Sequence, residues 1–203
     1  MDDGRYPTLD EFWRRLGVRD VERDLRDALQ ARTGRENAGT PRLGDERGRV
    51  AAAVAARLVP SRVVPPEALA AFLDWSFDRQ LGRGDERTGV LPTRELIPAG
   101  LDALEQAAQR AHGCAFGELA GEDQDEFLTR AERGELRLDG RQGFDSAVWF
   151  KRTRGKFLLG YGSDPRGMVE MGFPGPSYKP GHLWLGRGGV RGRVERRPGY
   201  LWL

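Results

Sequence analysis

The residues from which this chain could build a reaction are few and scattered. Its one cysteine, Cys114, lies in Ala-His-Gly-Cys-Ala-Phe beside His112, and the other histidine, His182, is far along the chain. A thiolate nucleophile needs a base that is itself oriented by a third group. Only His112 accompanies this thiol, so Cys114 is expected to be a small buried apolar residue. A single cysteine excludes an internal disulfide and a thiolate metal cage. The two histidines have no H-x-x-x-H spacing. The acids in Gly-Glu-Asp-Gln-Asp-Glu (121–126) lack the alternation of a calcium loop and fit a helix N-terminus instead, where Glu122, Asp123 and Asp125 favour the dipole. The serines are Ser61, Ser76, Ser146, Ser163 and Ser177, and none sits in a G-x-S-x-G elbow. Gly-Arg-Gly-Gly-Val-Arg-Gly (186–192) has the glycines of a phosphate-binding turn but neither the strand before it nor the helix after it. Carboxylate pairs are everywhere and read as solvated surface. No catalytic, cofactor-binding or metal-ligating residue is expected in this chain.

The bulk numbers agree. In 203 residues, 33 Lys and Arg nearly balance 31 Asp and Glu, for a net charge of +2. That balance excludes a partner gripped by bulk charge, and the length suffices for one domain with a core. No stretch approaches the ~20 apolar residues of a membrane-spanning helix, so no membrane insertion is expected. The N-terminus is acidic and has no apolar leader region. Arg14 and Arg15 precede a segment too charged for a twin-arginine export signal. As written, the chain is expected in the cytoplasm, or in the periplasm if a partner carrying its own export signal takes it there.

The elements that must position anything functional read as helices. Thr8 with Glu11 makes a capping box; Leu9, Phe12, Trp13 and Leu16 follow, and Val21, Leu25, Ala28 and Leu29 continue the period. A polar, glycine-containing loop with Pro41 comes next. An alanine-rich helix runs from Arg49 to Pro60. Another starts near Pro66 and ends before Gly82, with Leu69, Phe72, Leu73, Ser76 and Phe77 as its buried stripe. A third carries Pro98 near its start and Leu101, Leu104 and Ala108 on one face. A helix has Glu122, Asp123 and Asp125 in its first turn, and the last clear helix, ending at Gly160, offers Ala147, Trp149, Phe150, Phe157 and Leu158. The spacing predicts an all-α bundle of about six helices and no strand pair. We divide it into an N-terminal helical extension and loop (1–45), a helical core (46–160) and an irregular, aromatic-rich C-terminal arm (161–203).

That arm is rich in glycine and proline yet carries large apolar side chains, unlike a disordered linker. Such a tail is expected to lie in a partner's groove. Tyr161, Arg166, Met168, Met171, Phe173, Pro174, Tyr178 and Trp184 are the expected partner-binding residues, with Phe173 and Trp184 as anchors. A different reading uses its end: Arg187, Arg191, Arg193, Arg196 and Arg197 stand against Glu195 alone, before Gly-Tyr-Leu-Trp-Leu. Such a segment can contact phosphates and stack on bases, so a nucleic-acid-binding module is the alternative.

Three stretches, in order, carry a resemblance. Ala-Ala-Ala-Val-Ala-Ala-Arg-Leu-Val-Pro (51–60) is similar to the first helix of the gluconate 2-dehydrogenase subunit 3 family, which ends in a leucine/isoleucine-proline. Residues 100–128 resemble that family's middle: a helix, a glycine turn, Phe-x-x-Leu and an acidic helix start. Residues 148–176 are similar to its ending in paired aromatics, a glycine-x-tyrosine and a G-x-P-G. The resemblance covers about Arg49 to Gly186 and leaves out the first 45 residues and the arginine-rich end. It implies a non-catalytic small subunit that binds, stabilises or matures a large FAD-dependent dehydrogenase of the glucose-methanol-choline (GMC) type, which oxidises sugars or alcohols. The flavin is then in that partner, and a cytochrome c subunit can complete the complex. Many relatives carry a twin-arginine leader, which is not expected in the sequence as written, and Glu170 and Met171 stand where relatives often have tryptophan and an aliphatic residue.

Overall fold

A computed structural model describes residues 30–76 and 89–172, together with Asp10 and Asp27. From Gly44 onward the described residues form six helices and no strand: α1 (Gly44–Leu58), α2 (Pro66–Ser76), α3 (Thr93–His112), α4 (Gly121–Glu132), α5 (Ser146–Ser163) and α6 (Pro165–Glu170). Short 3-10 turns at Arg35–Asn37 and Phe116–Glu118 precede α1 and α4. This is the all-α architecture expected from the sequence. The first helices of that reading (8–29) and the continuation past Ser76 to Gly82 lie outside the described residues.

The centre of the molecule is α2. Ala68 through Asp74 are all buried, so it is a helix buried nearly all round. Leu69, Phe72, Leu73 and Ser76 form its interior as expected. It packs between α1 and α5, and α1 faces it with Val50, Ala51, Val54 and Ala55, the i, i+1, i+4, i+5 pattern of one helical face. The expected start of α1 at Arg49 is too late: the helix begins at Gly44. No local side chain caps it. The cap comes from α2, where Asp74, 4% exposed, accepts hydrogen bonds from the Arg42 and Leu43 amides at 2.9 and 2.8 Å. Removing that carboxylate strands amides that a helix start must satisfy. Asp74→Ala is therefore expected to lower the unfolding free energy by about 2–4 kcal/mol in a urea titration, and Asp74→Asn, which keeps an acceptor, by less.

α3 keeps Pro98 inside its first two turns. The ring removes one amide from the helix ladder. Two residues on, Gly100 lets Trp149 of α5 lie directly on the helix backbone, and the buried indole donates from Nε1 to the Ile97 carbonyl at 3.1 Å. Asp145 caps α5 by accepting from the Val148 amide at 3.0 Å. Trp149, Phe150, Thr153, Lys156, Phe157 and Gly160 then form its buried stripe. At Gly160 a Cβ would stand 2.8 Å from the Phe72 ring, so glycine sets how closely α5 approaches α2. α4 joins through Phe127, Leu128 and Ala131, with Gln124 donating to the Phe116 and Leu119 carbonyls. Asp125 is not in the first turn as the sequence suggested; it faces α1 and pairs with Arg57 at 2.8 Å.

A second difference bears on function. The arm was expected to be irregular from residue 161, but α5 continues through Ser163 and α6 follows at once. Asp164 caps α6 through the Arg166 amide at 2.9 Å, and Pro165 occupies its first turn, a placement suited to proline. Gly167 lets α6 fold back on α5, since a Cβ there would lie 2.2 Å from the Tyr161 carbonyl oxygen.

Candidate functional site

The α5–α6 corner holds half of the side chains singled out in the arm: Tyr161, Arg166, Met168 and Met171. Phe173, Pro174, Tyr178 and Trp184 lie outside the described residues. Two charged groups build the corner. Glu170 on α6 gathers the loop between α1 and α2: its carboxylate accepts from the Ser61 hydroxyl at 2.5 Å, the Arg62 amide at 3.0 Å and the Tyr161 hydroxyl at 3.0 Å. Ser61 Oγ in turn accepts from the Val64 amide at 2.9 Å. Arg166 makes the second tie. Its guanidinium donates to both oxygens of Glu36, at 3.0 and 3.1 Å, and to both of Asp164, at 3.0 and 2.8 Å. Planar two-toothed pairing of this kind is the strong form of a charge-assisted bond.

These ties set the charges. The Ser61 hydroxyl and then the Arg62 amide hold the Glu170 carboxyl below the usual glutamate range, and the Arg166 guanidinium does the same for Glu36. The Asp164 bond holds the Arg166 guanidinium more firmly protonated than usual. Burial, and then its bond to Glu170, push the Tyr161 hydroxyl up to about 12. A carboxyl with a depressed folded value stabilises the protein above its unfolded value, 4.5 here, and loses that contribution as pH falls through the folded value. Thermal midpoints are thus expected to hold from pH 7 to about 5 and then fall as the carboxylates protonate. In Glu170→Gln the neutral-pH midpoint drops and the acid-side fall becomes shallower.

Tyr161 and Arg166 are therefore turned inward as struts, and Met168 is half-buried. What faces outward is apolar. Leu158 and Leu159 of α5 are 47% and 52% exposed, and Met171, just past α6, is 54% exposed. A Cβ at Gly162 would lie 3.8 Å from the Met171 methyl. Gly162 is four residues past Leu158 and three past Leu159, so the three apolar side chains share one side of the corner. Val63, 46% exposed, stands next to the amide that Glu170 holds. Sequence reasoning named Leu158 only as an apolar position of the last helix and passed over Leu159 and Val63. The α5 stripe carried the missed signal: with Thr153, Phe157 and Gly160 inward, Leu158 and Leu159 fall off the buried face.

Elsewhere the groups considered for chemistry are dispersed. Cys114 is half-buried against the core, and His112 meets the Phe127 ring edge-on at 5.8 Å between centroids. Among the described residues no group of three histidine, cysteine, aspartate or glutamate side chains could hold a metal ion, and no helix is long and apolar enough to cross a membrane. His182 and the 186–192 glycines lie outside the described residues.

Fold and corner together define an all-α protein whose exposed large apolar side chains gather where its last described helices meet. Residues 45–179 match the model of the gluconate 2-dehydrogenase subunit 3 family, and the chain belongs to that family. The match begins at the start of α1 and runs past α6. Membership connects the chain to a multi-subunit dehydrogenase complex in the position of subunit 3. No curated protein and no solved structure matches it.

Proposed function

We propose that this chain is a non-catalytic accessory subunit that binds a large FAD-dependent dehydrogenase subunit of the GMC type, and stabilises or matures it. The corner of Leu158, Leu159, Met171 and Val63 is the contact surface, continued by the segment holding Phe173 and Trp184. The observation that carries this reading is the outward apolar corner: Val63, Leu158, Leu159 and Met171 are the large apolar side chains left exposed among the described residues. Large side chains left in water on a rigid support mark an interaction site. The flavin and the chemistry of sugar or alcohol oxidation reside in the partner; a cytochrome c subunit is compatible with this arrangement. The nucleic-acid reading rests on residues 187–203, outside the described residues, and no observation favours it.

Co-expression with the large dehydrogenase subunit tests the proposal. A tag on this chain is expected to retain that subunit with bound flavin absorbance, and the large subunit made alone is expected to be less soluble or poorer in flavin. A large subunit that folds, loads flavin and turns over equally well alone, and never co-elutes with this chain, would rule the function out.

A further inference from the structure

A groove of about 760 Å³ runs along the face of α1 opposite the core. Its floor is small and apolar, made by Ala52, Ala53 and Ala56 of α1 with Ala70 of α2 beside them. Its rim is acidic: Asp45, Glu46, Glu67, Glu105 and Glu118 line it, with Arg49 as the one cation among the described residues of the lining. Glu105 and Glu118 are held in place by accepting the Phe116 and Ala115 amides, each at 3.0 Å. Asp45 and Glu67 take no hydrogen bond or ion pair among the described residues. Uncompensated carboxylates around an apolar floor fit a cationic chain with little bulk near its backbone.

The chain supplies such a segment. Its last 31 residues carry six basic side chains (Lys179 and five arginines) against Glu195, a net of +5; with +2 overall, the preceding 172 residues carry −3. The two halves of that imbalance are the acidic body and the arginine-rich end. Glycines at 188, 189 and 192 allow close backbone approach to an alanine floor. Arg187 is fifteen residues beyond Gly172. An extended stretch of that length spans about 50 Å, more than the roughly 40 Å breadth of a body this size.

We propose that the α1 groove is the docking site of the chain's own terminus, residues 187–203. The arginines meet the acidic rim and the terminal aromatic residues lie on the alanine floor. The docking is within one molecule, and it does not depend on the large-subunit reading: the groove and the apolar corner use different residues.

Limited tryptic cleavage of the intact chain tests this, with mass spectrometry following loss of the segment beyond Arg193. Cleavage is expected to be at least tenfold slower than in a synthetic peptide of residues 187–203. Protection is expected to be independent of protein concentration and to fall in 1 M salt, where charges more than ~3 Å apart are screened. Asp45→Asn with Glu67→Gln should restore most of the peptide's rate. Ala56→Arg, at an exposed position of α1, should do so by filling the floor with a like charge, and it decides the matter if the double variant does not fold. Cleavage of the intact chain at the peptide's rate overturns the proposal. So does protection that survives in well-folded variants, or that disappears on dilution, which would place the terminus on a second copy.

Discussion

Leu158→Asp combined with Leu159→Asp is expected to leave the helical body intact and to weaken capture of the large subunit at least a hundredfold. Both side chains are about half exposed in the chain alone, so the substitutions remove little burial from the folded monomer, and exposed changes of this kind cost about 0.5 kcal/mol or less. In the proposed complex the same positions would become interior. Burying a leucine contributes about 1.5–3 kcal/mol, and an aspartate in its place must also be stripped of water. Loss of about 3 kcal/mol is already more than a hundredfold in affinity. Circular dichroism and thermal midpoint check the fold, and titration of the flavin-bearing partner reads the contact. If the doubly substituted chain folds and binds as tightly as the parent, the corner is not the interface. If it fails to fold, Met171→Asp, beyond the last helix, asks the same question.

Two glycine-to-alanine substitutions in the same bundle are expected to act in opposite directions. At Gly100 an added Cβ would sit 2.1 to 2.3 Å from three atoms of the Trp149 ring. That ring is fully buried and pinned to the Ile97 carbonyl, so it cannot swing aside, and relief requires α5 to lift from α3. The clash outweighs the roughly 1 kcal/mol that alanine contributes over glycine in a helix. We expect a net loss of about 3 kcal/mol or more, a large part of the 5–15 kcal/mol that holds a typical domain. At Gly155, inside α5, an added Cβ meets nothing within 4 Å. Gly155→Ala is expected to stabilise by about 0.5–1 kcal/mol. Urea midpoints of the two variants beside the parent provide the measurement. A tolerated Gly100→Ala would mean that α3 and α5 are not in the close register described.

The parts of the fold legible in the sequence are those where local chemistry and packing agree. Pro60, Pro66, Pro92 and Gly113 punctuate the helices where their backbone restrictions demand it, and Leu69, Phe72 and Leu73 lie inward as their spacing says. The start of α1 was not legible because its cap, Asp74, is supplied from another helix and sits 31 residues away from Leu43. The turn into α6 did have a local sign, Asp164 followed by Pro165. It was hidden by Gly160, Gly162, Gly167 and Gly172, each ordinarily a mark of broken structure. Two of these are required by close approach, to Phe72 and to the Tyr161 backbone. The candidate site was legible as a region but not residue by residue. Tyr161 and Arg166 stood out by type, yet their partners Glu170 and Glu36 turn them inward, and Glu36 is 130 residues from Arg166. Leu158 and Leu159 are ordinary core residues by type, and only the orientation of α5 sends them outward.

The two straps on α6 also fix the place of Gly172 in the helical body. Glu170 is fastened to the loop ahead of α2 and Arg166 to the turn ahead of α1, so the end of α6 is held in place beside Met171. In the proposed complex, a protein seated on the corner would have the next stretch of this chain tethered beside it, and a grip by that stretch would act at an effective concentration in the millimolar range. Loosening a strap would blur that place and dilute the grip, although neither Glu170 nor Arg166 need touch the visitor.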